Sequence, residues 1–187
     1  MARAGLDRER VVDAAAALAD AEGLDAMSLA RLAATLGVRA PSLYAHVGGL
    51  DDLRRRIAAR GMRELAAELS AAAAGRAGGE ALRAVARAYR AYARAHPGSY
   101  AAAQRAPDLG DEDAEAAARA GVGVMLAVLR GYGLEGDDAI HATRAVRAAL
   151  HGFVLLESRE GFGIPLSLDE SFERLVAMLD RGLAGAG

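Results

Sequence analysis

Residues 28–53 read SLARLAATLGVRAPSLYAHVGGLDDL, and this stretch narrows the fold more than any other. Ser28 offers a hydroxyl to the first unsatisfied N–H groups of a helix. Leu29, Leu32, Ala33 and Leu36 recur at helical spacing and define an inward stripe. Gly37 stops that helix, because glycine takes the left-handed cap position without steric cost. Val38 is placed to plug the corner that follows. Pro41 fits a first helical turn, where its missing N–H is not needed. Leu43 and Val47 then fall on one face of a second short helix, and Gly48 and Gly49 precede a third helix start. Two short helices about a tight glycine corner make a helix-turn-helix, whose second helix is built to enter a DNA major groove.

The run LGVRAPSLYAHV, preceded by AEGLDAMSLARLA, resembles the DNA-binding domain of TetR-type repressors from about Leu6 to Leu65. The spacing, the glycines, Pro41, Tyr44 and His46 carry the resemblance together. It implies that Tyr44 and His46 touch phosphate from the end of the second short helix, and that Ser28 does so from the start of the first. Base edges then face Arg39, Ala40, Pro41 and Ser42. Arg39 suits the O6 and N7 acceptors of guanine, and Ala40 and Pro41 suit a thymine methyl. Arg3 is expected to act as an arm toward backbone or minor groove. Two positions depart from the family's habit. Leu50 stands where a basic residue often begins the following helix, and Ala30 where an arginine often reads a base.

Length and composition set the rest of the frame. The 187 residues are 53% hydrophobic but only 4% aromatic, with alanine supplying much of the apolar share. Alanine is the best helix former, so the chain reads as all-α, with about nine helices. All 23 basic residues are arginine, and the net charge is −2. The charge is unevenly spread. Residues 1–63 carry 10 Arg against 8 acids, a net of +2, whereas the remainder carries 13 Arg against 17 acids, a net of −4. The absence of cysteine excludes disulfides, thiolate catalysis and cysteine-based metal sites. The amino-terminal residues have no apolar signal core, and the longest apolar run, 120–129, is too short to span a bilayer. A cytoplasmic protein without cofactor or metal is expected.

Helical periodicity and stop signals place helices at about 7–21, 28–36, 40–45 and 50–73. Residues 1–50 are read as the DNA-binding domain, with the helix over 50–73 as the connection. GRAGG at 75–79 reads as a linker, so residues 74–187 form a helical ligand-binding and dimerisation domain. Its helices are expected at about 80–95, 100–105, 111–131, 137–159 and 167–183, with Ser167 and Glu170 as a capping box. His96-Pro97-Gly98 reads as a helix stop. The helix over 80–95 is two-faced. Leu82, Val85, Ala86, Tyr89, Ala93 and His96 make its inward stripe, while Arg83, Arg87, Arg90 and Arg94 make an opposite stripe read as solvated. The run 120–129 is apolar all round, which implies burial on most sides.

The helix over 137–159 carries a stripe of Ile140, Thr143, Val146, Arg147, Leu150 and Val154. A second face, Ala145, Ala149, Gly152 and Leu156, is small enough for close helix approach. With Phe172, Leu175 and Leu179 of the last helix it is expected to form a homodimer interface as a four-helix bundle, in the manner of TetR-type proteins; closing the subunit's own core is the alternative. RAALHGFVLLE resembles the carboxy-terminal ligand domain of a TetR subgroup, with Leu150 where an aromatic is usual. The small-molecule site is then expected around Tyr89, Tyr92, His96, Met125, Leu129 and Arg147, each of which also fits ordinary packing. Arg147 alternatively pairs with Glu157 across the dimer.

These features point to a transcriptional regulator, a repressor released from a palindromic operator by a small molecule. The alternative is a dimeric helix-turn-helix regulator with no such ligand, controlled by abundance or a protein partner. An enzyme has little support: the four histidines are scattered, and no phosphate-cradling glycine loop follows a strand.

Overall fold

The computed structural model describes residues 6–108 and 110–186. Among these residues all regular structure is helical: α1 (Arg8–Glu22), α2 (Leu29–Leu36), a 3-10 helix (Ala40–Ala45), α3 (Leu50–Ala73), α4 (Gly78–Ala95), α5 (Pro97–Ala102), α6 (Glu112–Arg130), α7 (Gly136–Ser158) and α8 (Leu168–Ala184). Arg3 lies outside the described residues. The chain forms two compact units that do not follow a single cut. Of the described residues, those up to 63 pack with those of 95–115, and those of 64–94 pack with those from 116 onward.

The first unit is built on α1. Asp7 caps it by accepting from the Arg10 N–H at 2.8 Å. Val11, Ala15 and Ala19 are buried from one face of α1, against Leu32, Leu43, Leu53 and Ile57 in the same core. The segment 95–115 joins this core through α5. Proline at the first helical position lets α5 start at Pro97, so His96-Pro97-Gly98 opens a helix as well as closing one. Gly98 lies so close to α1 that an added Cβ would sit 2.2 Å from the Ala19 carbonyl. Asp20 fastens the contact: its carboxylate accepts from the Ser99 N–H at 2.7 Å and the Ser99 hydroxyl at 3.3 Å. Ala102 of α5 completes the core.

In the second unit the arginine stripe of α4 is exposed at Arg83, Arg87 and Arg94, as expected, but it is also paired, and Arg90 is buried. Arg83 donates to Asp180 at 2.7 Å, and Arg87 grips Glu173 with two bonds of 2.8 Å. Arg90 donates to Glu157 at 2.9 and 2.5 Å and lies 2.8 Å from Asp169. Arginine positions ascend α4 as their partners descend α8, so the two helices run antiparallel along an ionic ladder. Arg90 is only 9% exposed. Its guanidinium lies 4.8 Å from the Phe172 ring centroid and 5.5 Å from that of Phe153. Long apolar stems and fully paired heads allow arginine to be buried in this way.

The supposed linker also belongs to this unit, because Gly78 and Gly79 begin α4. A Cβ on Gly79 would collide with the Asp180 carboxylate at 2.5 Å. Asp180 needs that space, since it accepts from both Arg83 and the Tyr132 hydroxyl, the latter at 2.6 Å. Burial, and then the bond to Asp180, push the Tyr132 phenol well above its ordinary pKa. The apolar run in α6 is only partly covered: Met125, Val128 and Leu129 are buried, whereas Val122, Gly123 and Ala127 are exposed. Glycine and alanine present too little apolar area to demand burial on every side.

Candidate nucleic-acid interface

The helix-turn-helix is held by its caps. Ser28 is extended, and its hydroxyl oxygen accepts from the Arg31 N–H at 3.2 Å. Arg31 in turn pairs with Glu22, tying α2 to the end of α1. Gly37 adopts the left-handed conformation, φ 67° and ψ 31°, and its N–H closes onto the carbonyls of Ala33 and Ala34. Arg39 is extended and leads into the 3-10 helix with Pro41 in its first turn. Leu43 and Val47 are buried and anchor that helix, fixing which side it presents.

The presented side carries the residues named from the sequence. Arg39, Pro41 and Ser42 are exposed, Tyr44 is 62% exposed, and Ser28, Ala40 and His46 are half-buried. An exposed tyrosine on a short helix anchored by buried Leu43 has a phenolic donor available to a partner. The His46 carbonyl accepts from Arg8 at 3.2 Å, which ties the end of the 3-10 helix to α1. Asp52 caps the Gly48 N–H at 2.9 Å and binds Arg56 at 2.9 Å. Burial works against ionisation of Asp52, but the bonds from Arg56 and Gly48 outweigh it and hold its pKa below the ordinary carboxylate value. Leu50 is half-buried against the helix-turn-helix core, so its side chain serves packing at the place where the family often carries a cation.

The expected ligand residues separate. Tyr89, Tyr92, Met125 and Leu129 are buried in the second unit. The Tyr92 hydroxyl donates to Glu64 at 3.0 Å. His96 is not on an inward stripe. It is exposed, belongs to the first unit, and brings Nδ1 within 3.3 Å of Asp20, because α4 ends at Ala95. Arg147 is likewise exposed, as the buried arc of α7 centres on Val146, Leu150 and Phe153 and turns position 147 to its edge. Glu157, the partner considered for it, is engaged by Arg90 within the same chain. That bond, acting against burial, draws the Glu157 carboxyl below its ordinary pKa. Burial and the nearby Arg147 charge lower the pKa of His151. Of the expected interface residues, Phe172 is in the core with Phe153 and Arg90, not on a free face. Ala145 and Leu156 are exposed, and Ala149, Gly152, Leu175 and Leu179 are half-buried.

The sequence reading missed Arg90, Glu157 and Asp169 as a cluster. A signal was present: cations at 83, 87 and 90 and acids at 169, 173 and 180 share helical spacing. Thr143 lies on the buried stripe of α7, and its buried hydroxyl oxygen has no hydrogen-bond partner. No helix among the described residues is long and apolar enough to cross a membrane.

A capped helix-turn-helix with an exposed, polar recognition face, followed by a larger helical unit, defines a DNA-binding regulator. The family model for bacterial regulatory proteins of the tetR family matches residues 11–57, and that for the tetracyclin repressor-like C-terminal domain matches residues 82–179. The chain is 42% identical to an uncharacterized HTH-type transcriptional regulator, Rv0681 of Mycobacterium tuberculosis, over 96% of this chain and 83% of that protein. It is 39% identical to YobS of Bacillus subtilis, another uncharacterized HTH-type transcriptional regulator, over 86% and 83%. The crystal structure of the Streptomyces coelicolor TetR family protein ActR with (S)-DNPA superposes at a TM-score of 0.75 with 26% identity, over 99% of this chain and 100% of that one. ActR has also been solved with actinorhodin, at a TM-score of 0.72 and 25% identity. The chain belongs to the TetR family and is a DNA-binding transcriptional regulator.

Proposed function

We propose that this regulator is a cytoplasmic repressor, without catalytic activity, that a small molecule releases from a palindromic operator. The observation that carries the reading is the exposed set Arg39, Pro41, Ser42 and Tyr44 on a 3-10 helix anchored by buried Leu43 and Val47. Residues 1–50 bind the operator, α3 connects, and residues 74–187 bind the effector and the second subunit. Ser28, Tyr44 and His46 position the backbone, and Arg39 with Ala40, Pro41 and Ser42 reads bases.

The small face of α7, exposed at Ala145 and Leu156 and half-buried at Ala149 and Gly152, meets its counterpart, with Leu175 and Leu179 of α8 beside it. Nothing lies within 4 Å of a Cβ built on Gly152, so a second helix has room to approach. The effector binds among Tyr89, Tyr92, Met125 and Leu129; the ligand-bound ActR structures favour a small-molecule input of this kind. The exposed His96 and Arg147 are not part of the proposed set. The effector must bind the DNA-free conformation more tightly, since equal affinity for both conformations shifts nothing.

The test uses an operator selected from random DNA. The selected site is expected to be a near-palindrome with half-sites one helical turn, or a multiple of it, apart. Arg39→Ala should relax preference at one base pair per half-site by roughly 1–3 kcal/mol. Tyr44→Phe and His46→Ala should weaken binding to all variants alike. A uniform loss with Arg39→Ala would make Arg39 a phosphate contact, and an asymmetric single half-site would refute the dimeric mode.

A further inference from the structure

We propose that the first unit contains a second small-molecule site, one that takes an organic carboxylate with a short apolar chain. A cleft of about 330 Å³ lies wholly within this unit, lined by Leu24, Arg54, Ala58, Met62, Ala102 and Arg105 among others. That volume falls within the range of small-molecule sites. It is separate from Tyr89, Tyr92, Met125 and Leu129, which belong to the other unit.

The chemistry follows from Arg54. Its Nε is buried and has no hydrogen-bond partner. A guanidinium N–H withdrawn from water and left unpaired is costly, and the cost is recovered when the half-buried side chain turns its fork to an acceptor in the cleft. Carboxylate is the acceptor whose two oxygens match the planar fork of arginine. The acids at the cleft do not supply it. Asp51 is 88% exposed and comes no nearer to Arg54 than 3.9 Å, at Nη1. Asp111 turns Oδ1 onto the Ala114 N–H at 3.0 Å. Asp108 is exposed at the rim.

The walls beside the guanidinium are apolar. Leu24, Ala58 and Met62 are half-buried and Ala102 is buried, so a short hydrocarbon chain gains cover where the head group gains its partner. Leu24 also packs against the helix-turn-helix core, so the occupant touches a residue that supports the DNA-reading helices.

Hexanoate is the probe, and the full chain labelled at its five methionine methyls is the reporter. In NMR titration hexanoate is expected to shift the Met62 methyl saturably and to leave Met125 and Met178 unmoved. Hexanol, which lacks the charge, should bind about tenfold more weakly or worse, and this comparison needs no variant. Arg54→Gln should weaken hexanoate by about tenfold or more, with the other methionine signals reporting that the fold is retained; Arg54→Lys should restore part of the affinity. Absence of a saturable Met62 shift, equal binding of hexanol, or unchanged affinity in Arg54→Gln would each overturn the assignment. A shift at Met125 without one at Met62 would overturn it as well, by placing the carboxylate among the effector residues of the other unit.

Discussion

Arg90 gives the most direct quantitative test of the second unit. Replacing it with methionine keeps the volume and removes the charge. Glu157 then loses both guanidinium bonds, at 2.9 and 2.5 Å, in a place where its side chain is only 14% exposed. Removing one partner of a buried pair costs about 3–5 kcal/mol. The contacts over Phe172 and Phe153 add about 0.5–2 kcal/mol. The bond to Asp169 adds little, since that carboxylate is 80% exposed.

At roughly 2–4 °C per kcal/mol for a chain of this size, Arg90→Met should lower the melting midpoint by on the order of 7–28 °C. The double variant Arg90→Met/Glu157→Leu, which removes both charges, should recover most of the loss. Thermal and urea denaturation followed by circular dichroism, arranged as a double-mutant cycle, measures this. The pH dependence has a definite sign. The Glu157 pKa is depressed in the folded chain, chiefly by Arg90. Its contribution is therefore present above the unfolded value, about 4.3, and fades as pH falls through the lower folded value. The difference between wild type and Arg90→Met should shrink in that acid range. A loss below about 1 kcal/mol at neutral pH, or a double variant as unstable as the single one, would refute the reasoning.

Gly98→Ala should force α5 off α1 and destabilise by more than about 1–3 kcal/mol, because the new Cβ meets backbone at 2.2 Å, whereas Gly123→Ala, with nothing within 4 Å, should gain about 0.5–1 kcal/mol; equal melting curves would contradict the packing. Gly152→Arg should leave the fold intact and yield a monomer by light scattering, and a persistent dimer would move the interface elsewhere. Leu50→Lys should steepen the log–log salt dependence of DNA binding by up to about 1.8 for two subunits, while lowering stability through lost contact with the core; an unchanged slope would show that the start of α3 does not face phosphate.

The helix-turn-helix was legible because its information is local. Ser28, Gly37 and Pro41 each impose a backbone state on their own neighbours, and Leu43 and Val47 fix one face without help from distant residues. The second unit was less legible because arginine is ambiguous. Periodicity places Arg83, Arg87 and Arg90 on one face of α4 but does not say whether water or Asp180, Glu173 and Glu157 lie opposite. The displaced helix start at Pro97 has a related origin: proline both ends one helix and opens the next, and the pattern His96-Pro97-Gly98 signals only the first role. Arg147 and Val146 are neighbours in sequence, yet one is exposed and the other buried, so a small rotation of the α7 stripe decided which side chain turned inward.

The grip of α5 on α1 bears on how such regulators are recombined. Gly98 against Ala19, Asp20 on Ser99 and Ala102 in the helix-turn-helix core make residues 95–115 part of the amino-terminal unit, although some thirty residues of the other unit intervene in the chain. A hybrid assembled by a single crossover in the 75–79 glycine segment would pair one parent's α1 with the other parent's α5, leaving Asp20 to face whatever side chains that parent supplies. An exchange of operator specificity between two such proteins therefore calls for two junctions, or for transplanting only the surface of the 3-10 helix from Arg39 to Tyr44. The unit of inheritance for DNA reading is a discontinuous piece of chain, and a library of hybrids cut once should be rescued by restoring α5 alone.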